Sequence, residues 1–90
     1  MAAFKRDFKF NKDIIKTVAF NIRKYRILKG ITQEQVAVDI EVSPEFYRKF
    51  ESTYGSEGIS LINVYKISVV LDTRIDKFFE KVDENEFRSK

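Results

Sequence analysis

Apolar residues return every three or four positions through most of this chain, and the places where that rhythm breaks divide it into elements. From Asp13 to about Lys29, the residues Ile14, Ile15, Val18, Ile22 and Tyr25 recur at helical spacing, which predicts a first helix. Gly30 closes it just past the last turn, with Lys29 near the negative end of the helix dipole. Thr32 then opens a second helix, about 32–39, with Gln35 three residues later in the arrangement of a capping box. Val36, Ala37 and Ile40 share one face of it. Ser43 caps a third helix, about 44–52, and Pro44 sits in its first turn, where a missing N–H has no cost. About three residues join the second helix to the third, and two short helices joined that tightly cross steeply.

A loop, S-T-Y-G-S-E-G-I, follows at 52–59. A fourth helix is expected from Ser60 to about Leu71, with Leu61, Val64, Ile67, Val70 and Leu71 facing inward. Thr73 should cap a short fifth helix, Arg74 to about Lys81, carrying Ile75, Phe78 and Phe79. The ending D-E-N-E-F-R-S-K is polar and should fray. Residues 1–13 set Phe4, Phe8 and Phe10 among Lys5, Arg6, Lys9 and Lys12, a pattern that suits an arm, a short strand, or a segment packing its rings on the body. The expected organisation is a basic aromatic segment at 1–13, one all-α domain of five helices at 14–82, and a polar tail at 83–90.

Composition narrows the chemistry. Ninety residues, 43% hydrophobic and 14% aromatic, make one globular domain with one core. No apolar run approaches a membrane span and the first residues lack the apolar block of a signal peptide, so a cytoplasmic protein without a membrane partner is expected. The chain has no Cys and no His. Thiolate and imidazole metal sites, disulfides, cysteine nucleophiles and Ser-His-Asp triads are therefore excluded. Asp39, Glu41, Asp83, Glu84 and Glu86 read as solvated charge, and Gly30, Gly55 and Gly58 lie too far apart for a phosphate-binding loop. No enzyme activity, metal or cofactor is expected.

The net charge of +3 is unevenly placed. Residues 1–30 hold nine Lys and Arg against Asp7 and Asp13, a balance of +7, while residues 31–90 hold eight against twelve acids, a balance of −4. A basic first third suits a polyanion, because Lys and Arg neutralise phosphates and release counterions. The acidic remainder argues against indiscriminate charge-driven binding.

Ile22, Arg23, Arg26, Gly30, Thr32, Gln33, Ala37, Val42, Ser43 and Glu51, in this spacing, resemble the Cro and phage-repressor type of helix-turn-helix regulator, the XRE family. Ile67, Leu71, Ile75 and Phe78 fit that family's last two helices, and the resemblance covers roughly residues 14–80. The short length and the sequence I-D-K-F-F-E are also similar to restriction-modification controller proteins. The resemblance implies a lambda-repressor-like domain with its helix-turn-helix at helices 2 and 3, the third helix entering a DNA major groove. The candidate DNA-binding residues are then Thr32, Gln33, Ser43, Pro44, Glu45, Phe46, Arg48 and Lys49.

Each has its own chemistry. Gln33 is the residue with which the family bonds a phosphate from a helix N-terminus, where N–H groups and dipole favour an anion. Tyr47 and Phe50 sit where the family places core residues, which turns Pro44, Glu45, Arg48 and Lys49 toward the opposite side. Arg48 suits direct readout, since a guanidinium bonds guanine O6 and N7 together; Glu45 can accept from cytosine N4, and Lys49 suits a phosphate. Phe46 has two readings of equal weight, a contact with a thymine methyl or the backbone, and a ring folded over the core edge. The resemblance also implies a structural pair, Arg26 with Glu51. Two departures stand out: Glu41 occupies the turn position where the family favours Gly, a position that often needs φ > 0, and Pro44 replaces a residue that commonly reads bases.

The expected function is a sequence-specific DNA-binding transcriptional regulator, a repressor-type homodimer on a palindromic operator in double-stranded DNA. Phe78, Phe79, Val82 and Phe87 are either its dimer interface or the end of the monomer core. The alternative is an antitoxin-like or co-activator-like protein-interaction module on the same helical fold, which Pro44, Glu45 and exposed rings at Phe46 and Tyr54 would suit.

Overall fold

The structure, a computed structural model, describes residues 13–52 and 58–83. Four α-helices run in order, α1 (Asp13–Leu28), α2 (Gln33–Ile40), α3 (Pro44–Ser52) and α4 (Leu61–Val70), followed by a 3₁₀ segment, Ile75–Phe79. No strand occurs among the described residues. The fold is all-α as expected, but the fifth element is a single 3₁₀ stretch rather than an α-helix. Five residues cannot recover the cost of nucleating an α-helix, and the tighter 3₁₀ form serves such short pieces.

The ends of α1, α2 and α4 share one device. Past each helix the next N–H groups bond back three and five residues: Gly30 to Ile27 O and Ile31 to Arg26 O, Glu41 to Val38 O and Val42 to Ala37 O, Asp72 to Val69 O and Thr73 to Ser68 O. These are Schellman closures, which require a left-handed residue just beyond the helix. Gly30 takes φ 72°, Glu41 φ 65° and Asp72 φ 49°. The left-handed turn at Glu41 is therefore kept without the family's glycine, and Asp72 is a second such position that no sequence pattern marked.

The core is built where the helices meet. Ile22, Val36, Ala37, Ile40, Tyr47, Phe50, Ile67, Leu71 and Phe78 are all buried. Asn21 fastens the end of the fold to its beginning: its buried amide donates to the carbonyls of Phe78 (2.9 Å) and Glu80 (2.8 Å). One turn along α1, the Tyr25 hydroxyl donates to Glu80 Oε1 at 2.8 Å. Accepting that bond lowers the Glu80 carboxyl from its ordinary range, and making it raises the Tyr25 phenol.

Several expectations need correction. Leu61, expected inside, is 76% exposed, because the helix begins there and Val64, Ile67 and Ser68 set the buried face instead. Ile14 and Ile15 match the helical period of α1 yet stay exposed at its first turn. Thr73 does not cap the last element; its hydroxyl donates back to Leu71 O, and Arg74 precedes the 3₁₀ segment without a side-chain cap. Of the cluster with two readings, Phe78 is buried in the monomer core, Val82 is half-buried and Phe79 exposed, while Phe87 lies outside the described residues, as do Tyr54 and residues 1–12.

Candidate nucleic-acid interface

Local chemistry sets both ends of α2 and the start of α3. Thr32 caps α2: its hydroxyl accepts from the Gln35 N–H (3.1 Å) while the Gln35 side chain accepts from the Thr32 N–H (2.8 Å), the capping box the spacing implied. Glu41 and Val42 close α2, and the Ser43 hydroxyl accepts from the Phe46 N–H at 3.0 Å to start α3. α3 then divides into two faces. Tyr47, Phe50 and Glu51 are buried; Glu45, Arg48 and Lys49 are exposed; Pro44 and Phe46 are half-buried at the edge. Phe46 thus adopts a position between its two readings, with part of the ring covered and part at the surface.

Glu51 is the centre that holds α3. Its carboxylate is 1% exposed, and both oxygens are satisfied. Arg26 of α1 grips it with two bonds, Nε to Oε2 at 2.7 Å and Nη2 to Oε1 at 2.9 Å. Tyr47 donates its hydroxyl to Oε2 (2.5 Å), and Gln33 donates Nε2 to Oε1 (3.0 Å). The remaining arm of Arg26 donates to Ile31 O at 2.8 Å. One buried carboxylate therefore ties α1, the joint after it, the start of α2 and α3 together. A buried charge is tolerated only when paired and fully hydrogen-bonded, and this one is. The bond to Glu51 raises the Arg26 guanidinium against the opposing effect of burial, and burial, reinforced by Glu51, pushes the Tyr47 phenol far up.

The pair expected from the resemblance, Arg26 with Glu51, is present as a bidentate bridge. Gln33 and Tyr47 complete it in ways sequence reasoning missed. For Tyr47 the signal was available: a tyrosine four residues before a glutamate on one helix brings the two side chains together. Gln33 carried no such signal, because its partner lies 18 residues away.

At the surface, Arg48 of α3 meets Glu34 of α2, Nη1 to Oε2 at 3.3 Å, with both side chains substantially exposed. Glu34 sits in the first turn of α2, favourable for the dipole, beside the N-terminus that would receive a phosphate. The structure thus brings Glu34 against Arg48 and Gln33 against Glu51 of α3, with Thr32 capping the same end of α2, while Ser43, Pro44 and Glu45 lie where α3 begins.

The family model for helix-turn-helix domains matches residues 22–78, which span this arrangement from the core side of α1 to Phe78. The chain belongs to the helix-turn-helix family of the XRE type. Membership makes it a DNA-binding transcriptional regulator, a class that is typically non-enzymatic. Its fold is similar to that of a hypothetical transcription factor, NHTF, from Neisseria, at a TM-score of 0.65 and 22% sequence identity, over 87% of this chain and 83% of that one. No curated protein sequence matches this helix-turn-helix chain significantly. No helix among the described residues is long and apolar enough to cross a membrane, and no group of acidic residues among them has the arrangement of a metal site.

Proposed function

We propose that α2, its turn and α3 form the helix-turn-helix unit, and that the protein binds a palindromic operator as a homodimer with α3 in the major groove. The observation that carries this is the Glu51 network, which fixes α3 by its buried face and leaves Glu45, Arg48 and Lys49 outward. Arg48 reads a guanine, a role for which its weak bridge to Glu34 is easily exchanged. Lys49 and the α2 N-terminus, from Thr32 to Gln33, meet phosphates. The Gln33 amide nitrogen carries two hydrogens, so one remains for a phosphate when the other is given to Glu51. Ser43 and Pro44 bring the start of α3 close to the duplex, Glu45 accepts from a cytosine, and Phe46 lies over the backbone.

The test is selection from a random duplex pool followed by titration at several salt concentrations. DNA readout predicts an enriched two-fold sequence with half-sites about 34–36 Å apart, or a multiple of that. It also predicts a log–log salt slope near −0.9 for each phosphate neutralised. A second reading, a protein-interaction module, draws on the two carboxylates, Glu34 and Glu45, that the same surface exposes. It predicts no enriched sequence and a flat salt slope.

A further inference from the structure

α4 has two apolar faces, and the described residues of the monomer bury only one. Its sequence, LINVYKISVV, holds one charged residue. Val64, Ile67 and Ser68 are buried, yet Leu61 (76%), Tyr65 (56%), Val69 (60%) and Ile62 (58%) stand in solvent on the other side. A helix that is apolar all round belongs between two packed layers rather than at a surface. The patch does not end at the helix: Leu61 also rims an apolar groove shared with Ile15 and Phe79, both exposed. At these exposures the six side chains offer on the order of 600 Å² of apolar surface, at the upper end of what a monomer leaves uncovered and close to the roughly 800 Å² each partner gives a standard interface.

We infer that this face is covered by a second copy of the chain, through antiparallel pairing of α4 on α4. The occupant follows from the spacing of the stripe. Leu61, Tyr65 and Val69 are four residues apart, so they line one side of the helix and are symmetric about Tyr65. A two-fold axis through that point sets Tyr65 on Tyr65 of the partner copy and Leu61 on Val69 of the partner copy, and the same patch satisfies itself, as an isologous interface requires. The one charge on α4, Lys66, reaches back to Glu41 at 3.9 Å, at the side of the stripe, so nothing on the face calls for an anionic or cationic partner. The inference names the interface of the proposed homodimer, but it stands on this surface and is tested without DNA.

The test is the mass of the full chain by sedimentation equilibrium between 1 and 200 µM, wild type beside variants, with circular dichroism melts to establish that each is folded (the concentration range follows from the roughly micromolar affinity common for such interfaces). The wild type should be a dimer at the upper concentrations. Tyr65→Asp sets two carboxylates against each other on the axis and should raise the dissociation constant at least 10-fold with little change in the melt, because Tyr65 is exposed. The register is read by charge exchange: Leu61→Lys and Val69→Glu should each weaken the dimer, and the double variant should recover at least 10-fold over either single one. A monomeric wild type overturns the inference, and so does a dimer that survives Tyr65→Asp. If the wild type is monomeric and replacing Phe4, Phe8 and Phe10 by Ser lowers its melt, those residues are the occupant instead of a second copy. A double variant no tighter than the singles overturns the antiparallel register. Loss of operator selection with the dimer intact would count against the DNA reading and leave this one standing.

Discussion

Among the described residues, two hydrogen-bonded Arg–Glu pairs join neighbouring helices, and they do opposite work. Arg26 and Glu51 meet in the core, bidentate and almost free of solvent, with Tyr47 and Gln33 filling the remaining lone pairs. Arg48 and Glu34 meet at the surface through one longer bond, with water around both. The first is costly to break, since either partner alone would be a stranded charge. The second is worth little, at most about 1 kcal/mol, because solvent already screens it. The contrast separates framework from readout: the buried pair sets where α3 stands, and the exposed pair leaves its arginine available to another partner.

The comparison is broken most sharply at Glu51. Glu51→Ala should cost about 3–5 kcal/mol in urea unfolding, because it strands the Arg26 guanidinium along with the Tyr47 and Gln33 donors. Arg26→Ala should cost a similar amount, and the double variant much less than the sum; additive losses would show that the two do not act as one unit. Arg48→Ala should weaken specific operator binding by about 1–3 kcal/mol, with non-specific binding and the melt nearly unchanged. A large stability loss without a change in specificity would place Arg48 with the framework instead. Glu41→Gly, which relieves a left-handed side-chain-bearing residue, should stabilise the domain by about 1 kcal/mol; a lower urea midpoint would mean that Glu41 holds its turn by contacts rather than against strain. Smallest is Glu34→Gln, expected to shift stability by less than about 0.5 kcal/mol while tightening DNA binding slightly by removing a negative charge beside Arg48. A melt shift as large as that of Glu51→Ala would erase the distinction between the two pairs.

The parts of this architecture that could be read from the sequence are those with a local signature. The four α-helices follow from apolar period and caps, and the Thr32–Gln35 box and the glycine at 30 are written in four- and one-residue patterns. The Arg26–Glu51 bridge came from resemblance to a family, not from spacing. What escaped depends on distant partners or on solvent. Gln33 reaches Glu51, and Asn21 reaches Phe78 and Glu80, across separations that no period reports. Leu61 fits the inward period of α4 but stays exposed at its first turn. Asp72 adopts a left-handed turn that its residue type tolerates without announcing it. Of the candidate site, the outward face of α3 was foreseen, whereas the attachment of Gln33 to the core and of Arg48 to Glu34 was not.

The tether from Asn21 to the carbonyls of Phe78 and Glu80 has a consequence in time as well as space. Its ends are 57 and 59 residues apart, so α1 emerges from the ribosome long before its buried amide can find an acceptor. At about 5–20 residues per second, that wait lasts roughly 3–12 s. During it Asn21, and the surface of α1 that later faces Phe78, remain hydrated. The nascent chain thus cannot make this tether until its last helical turn has been synthesised, which makes it one of the most non-local contacts that the fold must close.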